Sequence, residues 1–93
     1  MTTAIIFTTQ ARLALLDIAG FIALDDDTAA FRLVAELQTR LRDTLSLFPE
    51  AGSKAGQGRR VLTIRGYSAV YRFDAAANTV FVLDFYGAGQ SWR

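Results

Sequence analysis

The hydrophobic period of this chain changes once, at its only proline, and that change limits the fold more than any other feature. Before Pro49 apolar residues recur at helical spacing; after it they come in short alternating runs broken by glycine and asparagine. In the first half Ala11, Leu15, Ile18 and Ile22 line one face of a helix, and Ala14 and Phe21 widen the stripe. A second helix is expected from about Thr28 to Leu47. Phe31, Val34, Leu37, Leu41, Leu45 and Phe48 form its buried stripe, and Glu36 precedes Arg40 at the spacing of a favourable i, i+4 pair. Ahead of both, Ala4 to Thr8 is apolar and β-branched and reads as a strand, with Thr9 as hydroxyl cap of the first helix. Between the helices stands Asp25-Asp26-Asp27. Three adjacent carboxylates invite a cation, but acidic side chains at a helix N-terminus are stabilised by its dipole, so the run reads as a capping turn.

After Pro49, Glu50 to Gly58 is the polar, glycine-rich stretch and reads as a loop. A phosphate-cradling loop follows a strand and opens a helix, whereas this one follows a helix and opens a strand. Three strands are expected: Arg59 to Arg65, Ser68 to Asp74 and Thr79 to Tyr86, joined by turns at Gly66-Tyr67 and Ala75 to Asn78. In the last of them strict alternation puts Phe81, Leu83 and Phe85 on one side and Val80 and Val82 on the other, as in a central strand. The order β-α-α-β-β-β gives an α+β fold, an antiparallel helical hairpin packed on a mostly antiparallel four-stranded sheet, with residues 1–93 as a single domain.

Composition narrows the function classes. A chain of 93 residues buries only about 60 per cent of its unfolded surface, yet 52% hydrophobic and 12% aromatic content excludes a disordered chain. There is no cysteine and no histidine, so no metal and no cofactor is expected, and a small domain without disulfides suits a reducing cytoplasm. The apolar run Ala4-Ile5-Ile6-Phe7 lacks a basic leader and is too short for a signal peptide or a membrane span. Formal charge is +1, unevenly spread: residues 1–50 hold four Lys/Arg against seven Asp/Glu, and residues 51–93 hold six against two. Helices with an acidic excess repel a phosphate backbone, which argues against direct recognition of DNA sequence.

Read as a string, the helix Ala11 to Ile22, then Leu47-Phe48-Pro49-Glu50-Ala51-Gly52, Arg60-Val61-Leu62, Gly66-Tyr67, Val70-Tyr71-Arg72-Phe73 and the closing Trp92-Arg93 resemble the ParE/RelE superfamily of toxins over nearly the whole chain. The resemblance implies a RelE/ParE-like fold and a small toxin neutralised by a co-expressed antitoxin that wraps its helices and sheet. Leu15, Ile18, Phe21, Ile22, Phe31 and Val34 are the candidate antitoxin contacts. Within the superfamily, RelE-like members enter the ribosomal A site and cleave mRNA, and ParE-like members are associated with poisoning DNA gyrase.

Metal-free RNA cleavage needs a base, an acid and cations that stabilise the phosphorane-like charge. RelE-like nucleases carry an arginine directly after the Gly-Tyr pair, where this chain has Ser68, and basic residues after the last strand, where it has Gly87-Ala88-Gly89-Gln90. These departures favour the ParE branch, a toxin that binds DNA gyrase and has no catalytic residue. The alternatives are a nuclease built from Arg59, Arg60, Arg65 and Arg72 with Glu36 or Glu50 as base, acting on ribosome-bound mRNA, and an inactive member that only binds antitoxin. Candidate target contacts are Arg59, Arg60, Arg65, Arg72, Tyr86, Trp92 and Arg93. Arg72 is equally placed to pair with Asp84, and at most one of Arg59 and Arg60 faces the exposed side of the sheet. Trp92 suits an interface hot spot or, equally, a residue that pins the tail to the sheet.

Overall fold

The computed structural model describes residues 2–87. A first strand, β1 (Ala4–Phe7), leads into two helices, α1 (Thr9–Ala23) and α2 (Asp27–Leu47), and then into β2 (Ser53–Gly56), β3 (Arg59–Ile64), β4 (Tyr67–Asp74) and β5 (Thr79–Tyr86). The strands form one sheet in the order β1-β5-β4-β3-β2. β1 runs parallel to β5 and the other pairs are antiparallel. The fold is α+β with a helical hairpin, as expected, on a mixed sheet of five strands rather than four. The added strand comes from the glycine-rich loop. Gly56, Gln57 and Gly58 take φ of 81°, 55° and 74°, a left-handed reversal that glycine makes without steric cost and that returns Lys54 opposite Arg60.

Local chemistry fixes where the helices start. Thr8, not Thr9, caps α1: its side-chain oxygen accepts from the Ala11 N–H at 3.2 Å while its hydroxyl donates to the Val82 carbonyl at 2.8 Å. One residue thus ends β1 against β5 and begins the helix. Asp26 caps α2 by accepting from the Ala29 N–H at 3.1 Å, and Asp27 lies in the first turn. The aspartate run is therefore a cap. Among the described residues no helix is long and apolar enough to cross a membrane.

The core lies between hairpin and sheet: Ala11 and Leu15 of α1 and Leu37, Leu41 and Leu45 of α2 pack with Phe7, Ile64, Ala69, Tyr71, Val80, Val82 and Phe85. Two residues expected on the buried stripe of α2 are outside it, Phe31 at 79% and Phe48 at 64% exposure. Phe31 precedes Leu37 by six residues, about 120° away around the helix. Phe48 follows the last helical residue at φ −131°, ψ 73°, beyond the helical period.

A bulge in β5 corrects a second expectation. Val70 lies opposite Asp84 and Tyr71 opposite Val82, so Leu83 is an extra residue. Such an insertion reverses the alternation. Phe85 therefore joins Val80 and Val82 in the core instead of facing with Phe81, and its N–H is taken by Asp84 Oδ1 at 2.8 Å. Across the sheet, the Gly52 N–H donates to the Tyr71 hydroxyl at 2.8 Å, and burial raises the Tyr71 pKa.

Candidate functional site

Two surfaces stand out, one on each side of the fold. Alternation along β4 sends Tyr67, Ala69, Tyr71 and Phe73 toward the helices and Ser68, Val70 and Arg72 to the outer face. There Arg59 lies directly across the strands from Arg72, Val61 from Val70 and Thr63 from Ser68. On the β5 side Arg72 faces Phe81, Val70 faces Asp84 and Ser68 faces Tyr86. The Arg72 guanidinium lies over the Phe81 ring, 5.1 Å from its centroid, and neither Arg59 nor Arg72 is in an ion pair among the described residues. Like charges directly opposite each other are unfavourable across a strand pair. Stacking on an aromatic face offsets part of that for Arg72, while the buried Nε of Arg59 has no hydrogen-bond partner among the described residues. Tyr86 is held protonated: its pKa is raised by a hydrogen bond to Asp84, with burial and the Asp84 charge adding to it and Arg59 opposing. The outer face thus presents two cations at one end and, at the other, a phenol bonded to the Asp84 carboxylate, and the two guanidinium groups can hold an anionic group of a partner.

The expected pairing of Arg72 with Asp84 is not made, because the bulge sets Asp84 opposite Val70 and leaves Phe81 as the neighbour of Arg72. Arg59 and Arg60 do point to opposite sides. Arg60 faces the helices, pairs with Glu50 Oε2 at 3.2 Å and donates to the carbonyls of Gly52 at 2.9 Å and Glu50 at 3.3 Å. It ties the chain after Pro49 to β3. Arg65 sits in the β3–β4 turn at φ 53° and bonds Glu36 Oε1 at 2.8 Å, while Arg40 takes Oε2 at 3.3 Å. Between them, Arg65 foremost, these cations lower the Glu36 pKa. Both carboxylates considered as a base are therefore ion-paired to arginine, Glu36 to Arg65 and Arg40 and Glu50 to Arg60. Trp92 and Arg93 lie outside the described residues.

The second surface is a groove of about 690 Å³ between α1 and α2, lined by Leu15, Leu16, Ala19, Gly20, Ala23, Ala30, Phe31 and Val34, with Arg12, Asp27 and Gln38 also contributing. Leu16 is 67% exposed and Phe31 79%. Leu15, at 3%, belongs to the core and forms only the floor. Ile18 and Phe21 lie on the other flank of α1, toward the end of the sheet, and Ile22 is half-buried. The groove's small residues Ala19, Gly20 and Ala23 escaped the sequence reading, which followed a single stripe. The signal was present, because α1 is apolar around most of its circumference, more than one buried face needs.

The model of the ParE toxin family, toxins of the type II toxin-antitoxin system parDE, matches residues 5–92. No curated protein sequence matches. Solved structures with a similar fold include the RelBE2 toxin-antitoxin complex from Mycobacterium tuberculosis, 21% identical over 97% of this chain and 95% of that one, at a TM-score of 0.76. The chromosomal ParDE system from P. aeruginosa is 18% identical over 94% and 97%, at 0.77. The intact E. coli RelBE complex is 20% identical over 95% and 99%, at 0.64.

Proposed function

Since the chain belongs to the family of ParE toxins of type II toxin-antitoxin systems, we propose that it is a cytoplasmic toxin that arrests growth by binding DNA gyrase and is neutralised by a cognate antitoxin. In this reading the antitoxin covers the helical hairpin. Phe31 and Val34 meet it over the groove, and Ile18, Phe21 and Ile22 meet it along the flank of α1, where exposed apolar side chains would otherwise face water. The outer face of the sheet, with Arg59, Arg72 and Tyr86, contacts the target. Arg60 and Arg65 support the fold through their ion pairs.

The observation that carries the gyrase reading over RNA cleavage is Ser68. It occupies the position that the RelE-like nucleases fill with arginine, half-buried on the outer face opposite Thr63 and Tyr86. A hydroxyl there supplies no charge for a phosphorane-like transition state. Pulse-labelling of DNA and protein synthesis in the first minutes after inducing the chain without antitoxin tests the assignment. An early fall in DNA synthesis is expected. An early fall in protein synthesis would overturn it and return the sheet arginines to a nuclease role.

A further inference from the structure

The core leaves one side of α1 unused, and that side is apolar. Leu13, Leu16 and Leu24 are 51%, 67% and 82% exposed, and with Gly20 they recur three or four residues apart, as one stripe along the helix and its cap. Leu16 and Gly20 also line the groove between α1 and α2. Because the two helices of the hairpin run in opposite directions, the α1 wall from Arg12 to Ala23 lies beside the α2 wall from Gln38 back to Asp27. The groove therefore has Arg12 at one end and Asp27 at the other, about 16 Å apart. Both side chains are exposed, and neither is in an ion pair among the described residues.

A surface with a cation at one end, a carboxylate at the other and a hollow beside its knobs is complementary to itself. Its knobs are Leu16 and Phe31; its hollow is Ala19 and Gly20, where a Cβ added at residue 20 meets nothing within 4 Å. We propose that this face binds a second copy of the chain, groove to groove, about a two-fold axis that crosses the groove at its middle. Such an axis lays each end of the groove over the opposite end of the other copy. Arg12 of each copy then meets Asp27 of the other, Leu16 drops onto Ala19 and Gly20, and Phe31 packs on Val34. An axis along the groove would instead bring the two Arg12 side chains together, which like charge disfavours. The face is small, so pairing of micromolar strength is expected. A second copy and an antitoxin exclude each other on this groove, and the experiment below uses no antitoxin, so its outcome is independent of that assignment.

Sedimentation equilibrium of the purified full chain, up to about 0.5 mM, should give a mass that rises from one copy toward two. Arg12→Asp and Asp27→Arg should each weaken pairing about tenfold, because a symmetric dimer loses the contact twice. The doubly substituted chain should return to within about threefold of the parent, a repair that can come only from the other copy, since the two ends of one groove are too far apart to meet. Gly20→Gln, for which a single copy has room, should abolish pairing with far-UV circular dichroism unchanged. A mass that stays at one copy throughout overturns the proposal. So does pairing that survives Gly20→Gln, or single charge reversals that the double reversal fails to repair, since the copies would then meet elsewhere or in another orientation.

Discussion

Replacing Gly52 by alanine puts a methyl carbon 2.8 Å from both Cε1 and the hydroxyl oxygen of Tyr71 and 2.8 Å from the Val61 carbonyl oxygen. Tyr71 is fully buried and cannot swing aside, and Val61 is β-sheet backbone. The segment carrying residue 52 must therefore move outward, which breaks the bond from its N–H to the Tyr71 hydroxyl. Overpacking of this kind costs about 1–3 kcal/mol, and the lost buried hydrogen bond about 1 kcal/mol more. A loss of about 2–4 kcal/mol is a large share of the roughly 5–14 kcal/mol expected for a domain of this size. At about 4–8 °C per kcal/mol the melting temperature should fall by about 10–30 °C, measured by circular dichroism on the purified chain. Tyr71→Phe removes the acceptor without adding volume and should cost less, about 1–3 kcal/mol for the stranded N–H. In the double substitution the ring and Val61 contacts persist while the hydroxyl is gone, so the two losses should sum to more than the measured one. A Gly52→Ala melting temperature within about 4 °C of the parent would refute the argument, because it would mean that the segment yields freely.

Other expectations concern the surfaces. Phe31→Ala should leave thermal stability nearly unchanged, since the ring is 79% exposed, yet weaken antitoxin binding by about 30-fold or more if it is the aromatic anchor of that interface; calorimetric titration with antitoxin decides, and an unchanged affinity removes Phe31 from the contact. Arg72→Glu should abolish growth arrest while the antitoxin still binds, because it inverts the charge beside Arg59 on the outer face; undiminished arrest would place target recognition elsewhere. Glu36 has its pKa lowered below the ordinary 4.5 on folding, chiefly by Arg65, so its ion pairs help stability above the unfolded value and that help is lost as pH falls through the folded one. The parent's melting temperature should therefore drop more steeply than that of Glu36→Gln below about pH 5, and parallel curves would show that these exposed pairs contribute nothing.

How far the fold could be read in advance depended on whether position alone determined each environment. Leu37, Leu41 and Leu45 fall into the core because a helix repeats its faces whatever surrounds it. Phe85 defied the reading because one extra residue at Leu83 reverses every later side chain, and nothing in Val-Phe-Val-Leu-Asp-Phe marks that insertion. The strand Ser53–Gly56 was hidden for another reason: at the sheet edge it needs backbone bonds but no apolar face, so it leaves no period. At the candidate sites, residue type was informative and role was not. Alternation separates Arg59 from Arg60 but does not say which of them faces outward, and it is the fold that puts Arg59 beside Arg72 on the outer face and leaves Arg60 and Arg65 holding Glu50 and Glu36.

The parallel pairing of β1 with β5 also orders events in time. Thr3 meets Asn78 across 75 residues of chain, and Thr8 meets Val82 across 74. A nascent chain carries its opening strand unmatched through both helices and three further strands, and contacts so distant in sequence are slow to form. Only when residues 79–86 have been made can the sheet close. A message cut short of that point yields a fragment lacking this architecture, so synthesis through β5 is a condition for the fold to close.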